Sequence, residues 1–137
     1  MTFLHHLRVR YRETDAQHVA FNSQYLGWFD DAMTEFLLAR GLAYRAMLDA
    51  GFDAQLVRSE IDWTAGVGFG DDIAIAVATA RLGRTSFALD FEVRRGEDVT
   101  CSGRTVYVVI ATDGSGKTEI PPLIRGVLGE PEPLRPL

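Results

Sequence analysis

The residue types able to do chemistry gather in one stretch, Tyr11-Arg12-Glu13-Thr14-Asp15-Ala16-Gln17-His18-Val19-Ala20-Phe21-Asn22-Ser23-Gln24-Tyr25. It reads as a strand ending in an acidic turn, then a short apolar segment and the start of the one long helical pattern in the chain. A carboxylate, Asp15, and a helix N-terminus therefore fall within about two helical turns of each other. That pairing suits reaction at an acyl carbonyl. The helix start offers unpaired N–H donors and partial positive charge to a developing oxyanion, and Asp15 serves as base or nucleophile. Taken alone, Asp15 also reads as a turn residue that satisfies nearby amides.

The elements around this stretch follow from periodicity. Residues 3 to 12 alternate, with Phe3, His5, Leu7, Val9 and Tyr11 on one face, and form a first strand. Its adjacent His5 and His6 point to opposite faces and cannot share one ion, so no metal site is expected. From Asn22 the period becomes helical, with Tyr25, Leu26, Phe29, Ala32, Met33, Phe36, Leu37 and Arg40 spaced three and four apart. Asn22 is placed to cap this helix and Gly41 to end it, with a short helical turn expected from Leu42 to Leu48. Alternation then predicts strands over 55–63, 72–81, 87–94 and 100–112, separated by a glycine-rich link at 65–70 and tight turns at 82–84 and 95–98. Asp113-Gly114-Ser115-Gly116 breaks the last strand, and Pro121 to Gly129 is expected to hold a short terminal helix. One domain is expected over 1–129, with a loose proline-rich tail at 130–137. A strand, a long helix and four more strands demand a mostly antiparallel, five-stranded α+β sheet with the helix on one face.

Composition narrows the function. The 137 residues are 47% hydrophobic, enough to build a core, and carry a net charge of −5. No run of Lys and Arg marks a nucleic-acid surface, and no apolar run is long enough to span a membrane. A lone cysteine, Cys101, excludes an internal disulfide and reads as a strand residue. With no apolar leader segment either, the expectation is a cytoplasmic protein.

The element order, with Glu13-Thr14-Asp15-Ala16-Gln17 and Tyr25-Leu26 ahead of Phe29-Asp30-Asp31-Ala32, resembles the hotdog-fold acyl-CoA thioesterases of the 4-hydroxybenzoyl-CoA thioesterase type. Weaker matches extend it over Glu60-Ile61-Asp62, Gly70-Asp71-Asp72 and Leu82-Gly83-Arg84-Thr85-Ser86-Phe87. The resemblance implies a long helix wrapped by a curved antiparallel sheet, and subunits joined edge to edge with each active site at their interface. It matches Asp15 to the catalytic aspartate and places an oxyanion donor at Asn22. It implies an aromatic or short-to-medium-chain acyl-CoA substrate, no cofactor, and a homodimer or homotetramer.

Other residues are placed by the same likeness. Arg84 is a candidate contact for phosphate or pantetheine, with Thr85 and Ser86 along the pantetheine arm; a solvated hairpin arginine is the alternative. Tyr25 and Trp63 are candidates for the acyl pocket or for the core. The family pattern carries a glycine two or three residues after the aspartate, where this chain has Gln17 and His18. Without it the loop is expected to shift or the site to narrow. His18 then either lines the pocket beside Asp15 or is a plain loop residue. The missing glycine also favours a second reading, a hotdog protein that binds acyl-CoA without turnover. A hotdog dehydratase would need a histidine on the helix, and none follows His18.

Overall fold

The computed structural model describes residues 1–136; position 137, the last of the expected tail, lies outside them. The alternating segments form β1 (Phe3–Arg8), β2 (Phe52–Trp63), β3 (Asp72–Leu82), β4 (Ser86–Arg95) and β5 (Asp98–Ala111), with a two-residue β6 (Gly116–Lys117). Between β1 and β2 lie a 3-10 turn (Tyr11–Glu13), α1 (Gln24–Ala39) and α2 (Tyr44–Asp49), and α3 (Pro122–Leu128) follows β6. The sheet order is β1-β3-β4-β5-β2, with every neighbouring pair antiparallel and β6 added to β5. A curled antiparallel sheet around one long helix is the hotdog arrangement expected from the sequence.

The helix buries Tyr25, Trp28, Phe29, Ala32, Met33, Phe36 and Leu37. These share one core with Ile73, Ile75 and Val77 of β3 and with Phe91 and Val93 of β4. Phe29 stacks on Phe91 with ring centroids 4.6 Å apart and 9° between planes. Burying one such ring contributes about 1.5–3 kcal/mol. The approach depends on Gly103, where a Cβ would lie 3.0 Å from Phe29 Cε2 and 3.1 Å from the Glu60 carbonyl oxygen. The helix ends as expected at Gly41, whose φ of 95° lets Leu42 turn back and donate to the Leu37 carbonyl at 2.9 Å.

Several boundaries differ from expectation, each for a local reason. β1 stops at Arg8, because buried Val9 exchanges backbone bonds with Gly70 and Asp71 and the chain then coils into the 3-10 turn, leaving Tyr11 exposed. The long helix starts at Gln24, and no side chain caps it, so Asn22 lies just ahead of the helix and is not its N-cap. β2 begins at Phe52 and carries a bulge between Leu56 and Arg58, which breaks the alternation read through Val57.

The 130–136 segment is not loose. Its path starts where the Glu132 amide donates to the Thr79 carbonyl at 2.7 Å, and it then crosses the sheet face opposite α1. There the buried Asp90 carboxylate accepts the amides of Leu134 (2.8 Å) and Arg135 (3.3 Å). Arg104, paired with Asp90 at 2.7 and 2.9 Å, donates to the carbonyls of Arg135 (3.0 Å) and Pro136 (3.2 Å). On β2, Asp62 accepts from the Arg135 guanidinium at 2.8 Å. Proline content gave the expectation of looseness, but the backbone is bonded all along its path.

Candidate active site

The segment carrying Asp15 is a small hairpin. Thr14 and Ala20 form an antiparallel bridge, the Asp15 amide donates to the Val19 carbonyl at 3.0 Å, and the His18 amide donates to the Asp15 carbonyl at 2.9 Å. Asp15 also accepts the Gln17 amide on Oδ1 at 2.8 Å. This Asx turn fixes the carboxylate and leaves Oδ2 without a protein donor among the described residues. His18 has φ 65°, the left-handed conformation that a glycine would supply. At this position the turn has the backbone conformation that the family's glycine would supply.

Two clamps hold this hairpin. On one side Val19 bridges to Gly68, and the Ala20 amide donates to the Val67 carbonyl at 2.8 Å. Val19 also packs on Gly66, where a Cβ would come within 2.7 Å of Val19 Cγ1. The glycine-rich link is in turn braced by Arg95, which donates to the Gly66 carbonyl and to Asp71 Oδ2, both at 3.1 Å. Asp71 accepts the Gly68 amide at 2.8 Å. That backbone bond, with Arg95, holds the Asp71 carboxyl below its usual range.

On the other side stands Glu13, a buried carboxylate that sequence reasoning passed over. It accepts the Arg10 amide at 2.8 Å, the Arg10 guanidinium at 3.2 and 3.3 Å, and Trp28 Nε1 at 2.7 Å. Its carbonyl accepts the Phe21 amide at 2.8 Å. Burial alone would raise the Glu13 pKa, but the bonds from Arg10 and Trp28 outweigh it and hold the carboxyl low. Trp28 was missed as well, although its spacing from Tyr25 and Ala32 puts it on the same buried face of the helix.

Beyond the hairpin the chain turns into α1. Gln24 and Tyr25 donate to the carbonyls of Phe21 and Asn22, while among the described residues the amides of Asn22 and Ser23 donate to no acceptor. Asp15, Asn22, Tyr25 and Trp63 line one cavity of about 670 Å³, together with Ala65 and Gly66 of the glycine-rich link. Tyr25 meets Trp63 edge to face with centroids 5.5 Å apart. Burial pushes the Tyr25 phenol up to about 12, so it stays neutral. The arrangement offers a carboxylate, the free amide of Asn22 and a phenol around a space lined by aromatic rings.

The remaining candidates lie elsewhere. His18 is exposed and outside the cavity lining. Arg84 and Thr85 lie in the turn from β3 to β4 and Ser86 opens β4, at the opposite end of β3 from the link that lines the cavity. Arg84 pairs there with Glu119 at 3.2 Å. Within one chain they do not meet Asp15.

The profile of the thioesterase-like superfamily matches residues 9–128. The chain belongs to the thioesterase-like superfamily. Its class as a thioester hydrolase, expected from the sequence, stands with that membership. Among curated relatives it is similar to a putative esterase of Aquifex aeolicus (strain VF5), 26% identical over 80% of this chain and 86% of that protein. It is 29% identical to the 1,4-dihydroxy-2-naphthoyl-CoA hydrolase of Synechococcus sp. (strain CC9605), over 82% of this chain and 80% of that one. A crystal structure of a hypothetical protein from Aquifex aeolicus superposes with a TM-score of 0.88 at 25% identity, covering 92% of this chain and 98% of that one. The matches span at least four fifths of each of these relatives.

Proposed function

We propose that this thioesterase hydrolyses the thioester of an aromatic or short-to-medium-chain acyl-CoA, with Asp15 as general base or nucleophile. The observation that carries the reading is that the fixed Asp15 carboxylate and Asn22, whose amide is free just ahead of α1, line one cavity. A thioester carbonyl has little resonance protection, so a carboxylate, a water molecule and an oxyanion donor at Asn22 suffice without a cofactor. The aromatic walls from Tyr25 and Trp63, and the naphthoyl-CoA substrate named for the cyanobacterial relative, support an aromatic acyl group. His18 holds the left-handed conformation that a glycine would supply, which supports turnover over the alternative of a hotdog protein that binds acyl-CoA without hydrolysing it.

The site is completed in this reading by a second copy of the chain. β2 is a 12-residue edge strand with Leu56, Val57 and Trp63 exposed, and pairing such an edge removes an aggregation liability. Antiparallel pairing of two β2 strands sets the Phe52 end of one beside the Trp63 end of the other. The Arg84 turn of the second copy comes with it, two strands further in, and meets the coenzyme A end of the ester.

The test is release of coenzyme A from a panel of aromatic and short-to-medium acyl-CoAs by the wild type and Asp15→Asn. The variant is expected to lose about a hundredfold or more in kcat, and unchanged turnover would remove Asp15 from the reaction. Sedimentation is expected to show a dimer or a tetramer, and a stable monomer would overturn the shared site.

A further inference from the structure

The cavity that holds Asp15 is also lined by polar side chains that attack on a thioester does not use, and one of them is buried. Gln17 and Asn22 are exposed, so solvent serves their carboxamides. Thr64 spends its hydroxyl on the carbonyls of Val99 (3.0 Å) and Thr100 (3.1 Å). Tyr25 is 1% exposed, and its ring is set against those of Trp28 and Trp63, with centroids at 4.8 and 5.5 Å.

The Tyr25 hydroxyl is committed on one side. Burial raises its pKa, against the pull of a hydrogen bond with the Trp63 indole. An indole nitrogen can only donate, so the phenol oxygen is the acceptor in that bond and its own proton is left over. No group accepts this proton among the described residues, and the oxygen is not sealed in the core as that of Tyr107 is. It opens on the cavity that Tyr25 lines. Water meets the donor while the cavity stands open. An acyl group that enters displaces this water, and it either brings an acceptor or leaves a buried donor unpaired.

We propose that Tyr25 is a specificity-determining residue whose O–H donates to a hydroxyl oxygen on the ring of an aromatic acyl group. This rests on the hydrolase reading above and names within it a hydroxylated aromatic acyl group as the favoured substrate class. The phenol stands beside Trp63, among the rings that seat the body of the acyl group, whereas the Asn22 amide is the donor to the thioester carbonyl. A ring hydroxyl suits the place because it accepts from Tyr25 and passes its own proton to water or to the Gln17 carboxamide on the same lining. A plain alkyl chain has nothing to offer the phenol, and filling the cavity with one forfeits the bond to water.

The test uses thioethers that cannot be hydrolysed, S-phenacyl-coenzyme A and its ortho-, meta- and para-hydroxyl derivatives, titrated calorimetrically into the whole protein. At least one hydroxylated ligand is expected to bind about tenfold or more tighter than the plain one. Fluorine at the same ring position, a weak acceptor, is expected to bring no such gain. In Tyr25→Phe the ratio is expected to fall to within about twofold. Phenylalanine keeps a ring between the two indoles, a thermal melt checks that the variant is folded, and the fluorine comparison needs no variant. Equal binding of all the ligands, an equal gain from fluorine, or a ratio kept in folded Tyr25→Phe would each overturn the proposal. Turnover separates this failure from that of the reading beneath it. A ratio that Tyr25→Phe abolishes, beside hydrolysis that Asp15→Asn leaves unchanged, upholds the recognition and sinks the role of Asp15. Hydrolysis lost with Asp15, beside no ratio, sinks the recognition alone.

Discussion

Trp28 on α1 donates its indole N–H to the buried carboxylate of Glu13 at 2.7 Å, tying the helix to the segment that carries Asp15 two residues on. The base and the oxyanion amides belong to different elements, and this bond is one of the few direct ties between them. Trp28→Phe keeps most of the packing and removes one donor from a buried charge. It is expected to lower the unfolding free energy by about 2 kcal/mol, read from urea denaturation. In acyl-CoA hydrolysis kcat should fall more than KM rises, and an effect on KM alone would show that Glu13 and Trp28 merely support the fold.

The lowered Glu13 pKa gives this tie a direction in pH. Because the folded state holds the proton less tightly than the unfolded chain, the stabilisation is full above the ordinary value of 4.5 and is lost as pH falls through the lower folded value. Glu13→Gln carries no such charge. It is expected to be less stable than wild type at neutral pH and to lose less on acidification from about pH 5 to pH 3, measured by thermal melts across that range. Parallel losses in the two proteins would place the acid sensitivity elsewhere.

At the tip of the Asp15 hairpin, His18 pays backbone strain for a conformation glycine adopts freely. His18→Gly is expected to be neutral or to stabilise by up to about 1 kcal/mol, with hydrolysis changed by less than a factor of about two. A tenfold loss of kcat would return the imidazole to the reaction.

The oxyanion donors in this reading are main-chain groups, so the side chain at position 22 is dispensable. Asn22→Ala should keep kcat within about threefold of wild type, whereas removal of a true oxyanion donor costs about a hundredfold or more. Steady-state kinetics on the best substrate of the panel distinguishes the two outcomes.

Gly103 lies under the stacked rings of Phe29 and Phe91, with a prospective Cβ 3.0 Å from one ring atom and 3.1 Å from the carbonyl of the neighbouring strand. The carbonyl cannot retreat without disturbing the β2 to β5 ladder. Gly103→Ala is expected to destabilise by about 1–3 kcal/mol, read from chemical denaturation.

Much of this was legible in the sequence because periodicity carries it. α1 announced itself through Tyr25, Phe29, Met33 and Phe36, and β3 and β4 through large apolar residues such as Ile73, Ile75, Phe91 and Val93 on the core face alternating with small or polar ones. β2 was read less well. It lies at an edge where a bulge at Val57 interrupts the pattern, and charges such as Arg58 and Glu60 need no burial there. Asp15, Asn22, Tyr25 and Trp63 were brought to one cavity as a set, although Trp63 is 48 positions from Asp15 in the chain. Glu13 escaped notice because a glutamate in an acidic turn ordinarily points to water, and only Trp28 and Arg10 make its burial tolerable. The separation of Arg84 from Asp15 is a fact of tertiary geometry that no local spacing encodes.

The strap across the back of the sheet is recognised through its main chain. Asp90 takes two amides and Arg104 donates to two carbonyls, while the three prolines, Pro131, Pro133 and Pro136, sit at none of the positions whose N–H groups are used. Proline there stiffens the free segment at no cost in donors, so less freedom is lost when it docks. Evolutionary drift in most of its side chains is therefore cheap, and the forbidden change is a proline at Glu132, Leu134 or Arg135. A stretch whose composition suggests a discardable linker is in this protein a fastening written in backbone geometry.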